Sequence, residues 1–222
     1  MTEARRRDAL VMLLTAGAGA ANVVSLTALG GVPASIMTAN LVLVGVSITR
    51  RQGALGWHAG VALAGYAVGV ILTSRLVHTE DKDPPVWPRA VTAAIAAEAL
   101  PLIGVAVGWG LADGRPAGAV QFVLCAATAL AMGVQGMAVR AVRDAGVSST
   151  FFTGALTDAL RDLARPGQHR WTRAATGVVV LVAGAAAQGA VLDYGRQFAP
   201  LLPLALICCV VALSTRGFSR GG

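Results

Sequence analysis

The amino-acid sequence predicts an all-α protein, a bundle of transmembrane helices, and two observations support this prediction. Of the 222 residues, 55% are hydrophobic and only 13% are charged, whereas a soluble domain carries about 25% charged residues. The apolar residues also occur in runs that approach the ~20 residues needed to cross ~30 Å of hydrocarbon. These runs do not alternate with polar residues as short barrel strands would, so we expect a polytopic helical membrane protein.

A twelve-residue segment near residue 31 has a counterpart in the second half of the chain. Gly31–Val42 and Gly146–Thr157 both follow an apolar run of small residues, and further apolar runs follow each of them. The identical pairs are Gly31 and Gly146, Val32 and Val147, Thr38 and Thr153, and Leu41 and Leu156. We interpret this as an internal duplication, with residues 1–116 as the first membrane repeat and 117–222 as the second, within one integrated membrane domain.

Four apolar segments are predicted in the first repeat. Gly30, Gly31 and Pro33 end the first run and begin the next, because glycine and proline interrupt a helix and proline is favoured at a helix start. Gly65 and Gly69 lie one helical turn apart in the third run and allow close helix contact. The segments are Ala9–Leu29, Pro33–Ile48, Trp57–Ser74 and Ala90–Leu111.

The second repeat follows the same order after a turn at Asp113–Pro116. Its predicted segments are Gly118–Ala138, Ser148–Leu163, Ala174–Leu192 and Ala199–Thr215. We refer to Pro33–Ile48 and Ser148–Leu163 as the signature segments. Both are apolar but carry hydroxyl, amide or acidic side chains.

Two topologies are compatible with these segments. If all eight cross the membrane and the amino terminus is cytoplasmic, twelve basic residues lie inside and six outside, as the positive-inside rule predicts. The repeats are then parallel. The alternative has six full spans and two short or broken signature segments, so that the repeats are inverted; Pro33–Ile48, at about 24 Å, is slightly short for a span. We prefer eight crossings because six would leave Arg50 and Arg51 outside.

The net charge of +7 comes almost wholly from arginines scattered at segment ends. This pattern is typical of positive-inside topology rather than of nucleic-acid binding, so we expect the lipid bilayer as partner and no nucleic acid. This charge pattern leads us to expect both termini in the cytoplasm. No cysteine pattern or catalytic motif indicates a cofactor, a metal site or an enzyme. A homo-oligomer remains open.

Two acidic residues are candidates for a substrate or ion site, because ionisable groups inside a bilayer are costly. Glu98 lies well inside the fourth segment, where it is either a proton or cation site or a neutral structural carboxyl. Asp158 lies in the second signature segment at a spacing that also allows an ion pair with Arg161. His58, next to Trp57 at a segment end, is expected at the membrane interface.

Uncharged polar residues complete the candidate site. They are Asn22, Thr38, Asn40, Gln135, Thr153 and Thr157. Such residues either join helices by hydrogen bonds or line a midplane site for a solute or ion where two repeats meet. The second interpretation predicts that Thr38, Asn40, Gln135 and Thr153 surround one cavity.

These polar residues lie in motifs that resemble those of the YoaK-like family, bacterial membrane proteins known only as a domain of unknown function. The family has Ala-Gly-x-x-Asp-Ala, Asn-Met-Thr-Gly-Asn, Gly-x-Gln-Asn-Ala and Thr-Gly-Thr-Leu-Thr in order. The corresponding stretches here are Ala18–Val23, Ile36–Asn40, Gly133–Ala138 and Thr153–Thr157. The resemblance spans most of the chain and implies a multi-span inner-membrane protein without an established activity.

This sequence departs from the family pattern at three of these positions. Asn22 replaces the family's aspartate, Ala39 its glycine and Gly136 its asparagine. If the aspartate titrates in relatives, Glu98 or Asp158 would have to substitute for it here. Our first hypothesis is therefore a small-solute or ion transporter with a polar site between two repeats. The alternative is a membrane scaffold or regulator that acts through its glycine-rich helices.

Overall fold

The computed structural model of the chain describes residues 2–77, 85–142, 154, 156, 157, 160 and 171–218. The regular elements in these ranges are helical, as predicted. Seven α-helices are defined, and a short 3₁₀ helix, Arg196–Phe198, precedes the last of them. The helices are α1 (Glu3–Ala28), α2 (Met37–Arg50), α3 (Gly53–Leu76), α4 (Arg89–Leu111), α5 (Gly118–Arg140), α6 (Trp171–Tyr194) and α7 (Leu201–Phe218).

Six of these helices are long and apolar enough to cross a membrane, and α2 is the shorter exception. With 14 residues, α2 extends about 21 Å at 1.5 Å per residue. The helix expected from Pro33 begins only at Met37, so residues 29–36 are not helical. Most of the second signature segment, Ser148–Leu163, lies outside the described residues.

The helices α1 and α5 form the centre of the bundle. The helices α3 and α4 pack on α5, while α6 and α7 pack on α1. The helices α4 and α7 also contact each other, and α2 packs on α3. The first helix of each half of the chain therefore packs mainly on later helices of the other half.

Glycines bring the central helices into backbone contact with their neighbours. Gly65 and Gly69 of α3 leave no room for a side chain against the backbone of Ala126 and Leu130 in α5. The close contact predicted from the spacing of these two glycines is therefore confirmed. Because both members of these pairs advance by four residues, α3 and α5 run parallel.

An equivalent crossing joins α1 and α6. Gly19 lies against the backbone of Leu181, and Gly184 lies against that of Ala16. At the chain's N-terminal end, Asp8 of α1 pairs with Arg173 of α6. The two helices therefore also run parallel. We call this end of the bundle the N-terminal face and the other end the opposite face.

The two central helices run antiparallel to each other. Gln135 of α5 donates from Nε2 to the Leu14 carbonyl at 3.0 Å, and Gln121 donates to the Ala28 carbonyl at 2.9 Å. The residue numbers of the contacts in α5 therefore decrease as those in α1 increase. If α2 crossed the membrane as well, α1 and α5 would be parallel. The geometry and the length of α2 thus favour six crossings, the alternative above, over the preferred eight.

Candidate functional site

The non-helical segment between α1 and α2 is packed inside the protein. Leu29, Val32, Ala34 and Ser35 are all buried. Lipid offers no hydrogen-bonding partner to a free backbone group, so non-helical backbone at membrane depth must be satisfied by the protein or by water. The sequence meets this requirement with polar side chains on both flanking helices.

Asn22 and Ser25 of α1 bind this segment directly. The Asn22 carbonyl oxygen accepts the Ser35 backbone N–H at 3.0 Å, while its amide donates to Ser35 Oγ at 2.7 Å. The Ser25 hydroxyl donates to the Val32 carbonyl at 2.7 Å. Asn22 therefore has both of its polar atoms engaged, and its position is explained by support of the backbone.

Asn40 supports the same segment from α2. Its side-chain amide donates to the Pro33 carbonyl at 2.8 Å. The Asn40 residue is fully buried, yet its Oδ1 has no hydrogen-bonding partner in the protein. Asn22 and Asn40, two of the predicted site residues, are thus brought together around Pro33–Ser35, and Asn40 retains one free acceptor.

His58 of α3 is buried against this region. Its ring stacks on Phe122 at a centroid separation of 3.9 Å and fills the space beside Gly30, whose φ of +99° is accessible to glycine. The His58 Nδ1 lies 2.8 Å from the Ala54 carbonyl, so Nδ1 carries the proton, and Nε2 has no partner. The sequence feature that could have indicated this position is Gly30, because a residue without a side chain leaves room for the His58 ring.

A second polar group lies closer to the N-terminal face. Gln135 is bound to Leu14 through its amide, but its Oε1 has no partner. The neighbouring Thr15 is fully buried, and its hydroxyl also has none. Leu14 precedes Asn22 by eight residues in α1, or about 12 Å along the helix. Gln135 and the Asn22–Asn40 group therefore lie at different depths.

Glu98 of α4 and Gln188 of α6 are the remaining buried polar residues of this kind. Both are fully buried. Neither oxygen of Glu98 and neither polar atom of the Gln188 side chain has a protein partner. Within the described residues, α1 to α6 each therefore contain a buried polar side chain with at least one unsatisfied atom. Gln188 is not among the site residues predicted from the sequence.

Two of the other predicted site residues lie on the surface of the described part of the chain. Thr38 and Thr157 are exposed. Thr153 and Asp158 lie outside the described residues. The predicted ring of Thr38, Asn40, Gln135 and Thr153 is thus replaced, among the described residues, by an Asn22–Asn40 group and a Gln135 group.

Comparison with known proteins gives a consistent family relationship. The family model described as "Protein of unknown function (DUF1275)" matches residues 10–214. The UPF0700 transmembrane protein YoaK of Bacillus subtilis (strain 168) is 34% identical over 163 residues, which cover 73% of this chain and 70% of that protein. No solved structure matches.

Proposed function

This chain belongs to the DUF1275 family of multi-pass membrane proteins, and we propose that it is a transporter of a small solute or ion. The observation that carries the proposal is the series of unsatisfied polar atoms in α1 to α6. These atoms belong to Thr15, Asn40, His58, Glu98, Gln135 and Gln188.

The energetic cost of this series argues for a functional role. A buried donor or acceptor left without a partner costs about 1–3 kcal/mol. Apolar side chains of similar size would avoid this cost if the helices only needed to pack. Water or a solute that enters the bundle would supply the missing hydrogen bonds. The break in the backbone at residues 29–36 adds support, because transporters bind substrates and ions at interrupted helices.

We also propose that the protein consists of two inverted repeats, with 1–116 and 117–222 as their approximate limits. Gly19 and Gly133 are 114 positions apart in the chain, and the residues that they contact, Tyr66 for Gly133 and Leu181 for Gly19, are 115 apart. The second glycine pair, Gly69 and Gly184, matches in the same way. The three crossings per half favoured above would relate these equivalent contacts by an axis in the membrane plane.

The distribution of basic residues supports an amino terminus in the cytoplasm. If the chain crosses the membrane six times, fourteen of the 18 lysines and arginines in the sequence would lie on the side of the amino terminus and four on the other side. The four are Arg50, Arg51, Arg115 and Arg196. The bias exceeds the twelve-to-six ratio of the eight-crossing arrangement, so Arg50 and Arg51 no longer argue against six spans. We propose a bacterial plasma-membrane location with both termini cytoplasmic.

The scaffold hypothesis has less support. It depended on glycine-rich helices with surfaces free for a partner, but Gly65 and Gly69 of α3 and Gly184 of α6 are used for contacts within this chain. A Cβ atom added at Gly60 or Gly189 would meet no other atom within 4 Å. These two glycines therefore keep the scaffold hypothesis testable.

Flux through proteoliposomes tests the proposal. Wild-type protein should give saturable uptake of at least one compound from a panel of labelled amino acids, sugars, organic acids and inorganic ions. Gln188→Leu should lower that uptake without lowering thermal stability, because it removes two unsatisfied polar atoms from a fully buried site. Gln121→Leu is the control: it removes a satisfied glutamine, so stability should fall while uptake by the folded protein persists. Absence of uptake across the panel would favour the scaffold.

A further inference from the structure

Glu98 lies at the centre of the face that α4 turns toward the bundle. The buried residues of α4 include Ala94, Ile95, Glu98 and Leu102, which recur at the three- and four-residue spacing of one helical face. Ala94, Ile95 and Leu102 belong to the same core cluster as Leu14 of α1. The Glu98 carboxyl group is therefore directed into the protein, and both of its oxygens lack a partner.

The pairing of α4 with α5 places Glu98 at the height of Gln135. The two helices form an antiparallel hairpin in which Gly108 lies against Leu124. Glu98 precedes Gly108 by ten residues, so it lies level with the residue ten positions after Leu124, next to Gln135. The Gln135 amide is bonded to the Leu14 carbonyl of α1, and Leu14 belongs to the same core cluster as Ala94, Ile95 and Leu102 of α4. Glu98 and Gln135 therefore occupy one layer of the bundle.

The unsatisfied atoms in this layer are all oxygens. They are both carboxyl oxygens of Glu98 and Oε1 of Gln135. The Gln135 amide nitrogen is engaged by Leu14, which leaves its carbonyl oxygen as the free end. Pro101 lies within α4 and has no N–H to donate to the Ala97 carbonyl. A further oxygen acceptor is thus released one residue before Glu98.

No basic side chain in the described spans lies at this depth to balance the charge of Glu98. Arginines of the helices around it lie at or near helix ends: Arg5, Arg6 and Arg7 in α1, Arg75 in α3, Arg89 in α4, Arg140 in α5, Arg173 in α6 and Arg216 in α7. An ionised carboxylate in this layer therefore needs a bound cation. A single carboxylate with neutral amide and backbone carbonyl oxygens balances one positive charge.

We propose that Glu98 and Gln135 bind one monovalent inorganic cation of the Na⁺ type. This inference rests on the proposed transport function and specifies the ion that the protein carries or couples to. A proton on Glu98 would supply only one hydrogen-bond donor to this group of acceptors, whereas a cation contacts several oxygens at once. A divalent ion ordinarily takes more oxygen ligands, or carboxylates together with bound waters.

Sodium-dependent stability of the purified full chain tests the site. The thermal midpoint in detergent is measured against NaCl, with choline chloride holding ionic strength constant, and ²²Na⁺ binding is measured at equilibrium. We expect Na⁺ to raise the midpoint of the wild type. Glu98→Gln should weaken Na⁺ binding at least tenfold, and Gln135→Leu should weaken it severalfold. Gln121→Leu, the other α5 glutamine that is bonded to an α1 carbonyl, should leave Na⁺ affinity unchanged.

Two outcomes would overturn the proposal. One is a wild-type midpoint that changes with pH but is the same in NaCl, KCl and choline chloride, which is the result for a proton alone. The other is Na⁺ binding that survives both Glu98→Gln and Gln135→Leu. Solute uptake that does not depend on any monovalent cation would contradict the cation site but support the transport function. Binding of ²²Na⁺ without uptake of any compound would support the cation site but contradict the transport function.

Discussion

Asn22 and Ser35 are joined by two hydrogen bonds across a break in the helical backbone: Ser35 N–H donates to Asn22 Oδ1, and Asn22 Nδ2 donates to Ser35 Oγ. The two residues are thirteen positions apart and both are buried. The amide of asparagine donates and accepts at once, so one side chain satisfies a backbone group and a hydroxyl. This pair holds the chain where α1 ends and before α2 begins.

Replacement of Asn22 by alanine should therefore destabilise the protein. Asn22→Ala leaves the Ser35 N–H buried without an acceptor, and we expect a loss of about 1–3 kcal/mol, seen as a lower thermal midpoint in detergent. Thr27→Ala, which removes an exposed hydroxyl bonded to its own helix, is the control. Asn22→Asp introduces the residue found in the resembling family and keeps the acceptor for Ser35. Its thermal midpoint should therefore lie between those of Asn22→Ala and Thr27→Ala. Equal midpoints for Asn22→Ala and Thr27→Ala would contradict this role.

The antiparallel pairing of α1 and α5 predicts the sidedness of the loops. Arg51 and Arg115 should lie on the face opposite to the amino terminus, because only α1 crosses before Arg51 and three helices cross before Arg115. In intact cells, a membrane-impermeant maleimide should label Arg51→Cys and Arg115→Cys, whereas Thr2→Cys should react only after permeabilisation. The exposed Cys208 and Cys209 are replaced by serine in the background.

The eight-crossing arrangement gives a different labelling pattern. It places Arg51 and Arg115 on the same side as Thr2, so all three cysteines would then react together. Arg89→Cys, at an exposed position, is the internal control. With six crossings it lies on the side of Thr2, and with eight it lies on the opposite side.

The glycine at the α5–α3 crossing predicts a large effect from a small substitution. An alanine Cβ at Gly133 would overlap the backbone of Tyr66, and a helix backbone cannot move aside as a flexible side chain can. Overpacking of this kind typically costs about 1–3 kcal/mol, so Gly133→Ala should lower the thermal midpoint. Gly60→Ala, where no atom lies within 4 Å, should be neutral or slightly stabilising since alanine favours helix. Similar midpoints for the two variants would contradict the contact.

The fold class was predictable from the sequence because composition and run length alone require a helical bundle in lipid. The choice between six and eight crossings was not, since Pro33 suggested a helix start and Arg50 and Arg51 suggested a cytoplasmic loop. In the structure, α2 begins at Met37, after the residues tied by Asn22 and Ser25. This later start shortens α2. It results from the hydrogen bonds of Asn22 and Ser25, which are distant from α2 in the sequence.

The burial of these polar residues was predictable from the sequence, but their grouping was not. Asn22, Asn40, Gln135 and Glu98 are all buried, as both helix–helix hydrogen bonding and a polar site require. Sequence spacing could not show that Asn22 supports the backbone at Ser35 while Gln135 binds Leu14, because both partners belong to other segments. The exposure of Thr38 could not be predicted either. A residue shared by the two repeated segments can face either the protein or its surroundings.

The ion pair between Asp8 of α1 and Arg173 of α6 gives a last prediction, at the N-terminal face. Both side chains are about one-third exposed, and Asp8 also pairs with Arg7 at 3.0 Å. Partly exposed pairs contribute little, so a double-mutant cycle with Asp8→Asn and Arg173→Gln should give a coupling energy of about 0.2–1 kcal/mol. The coupling should shrink from 0.05 to 0.5 M salt, because ions screen exposed charges. Coupling above this range that persists in high salt would instead indicate a desolvated pair that locks the two helix ends together.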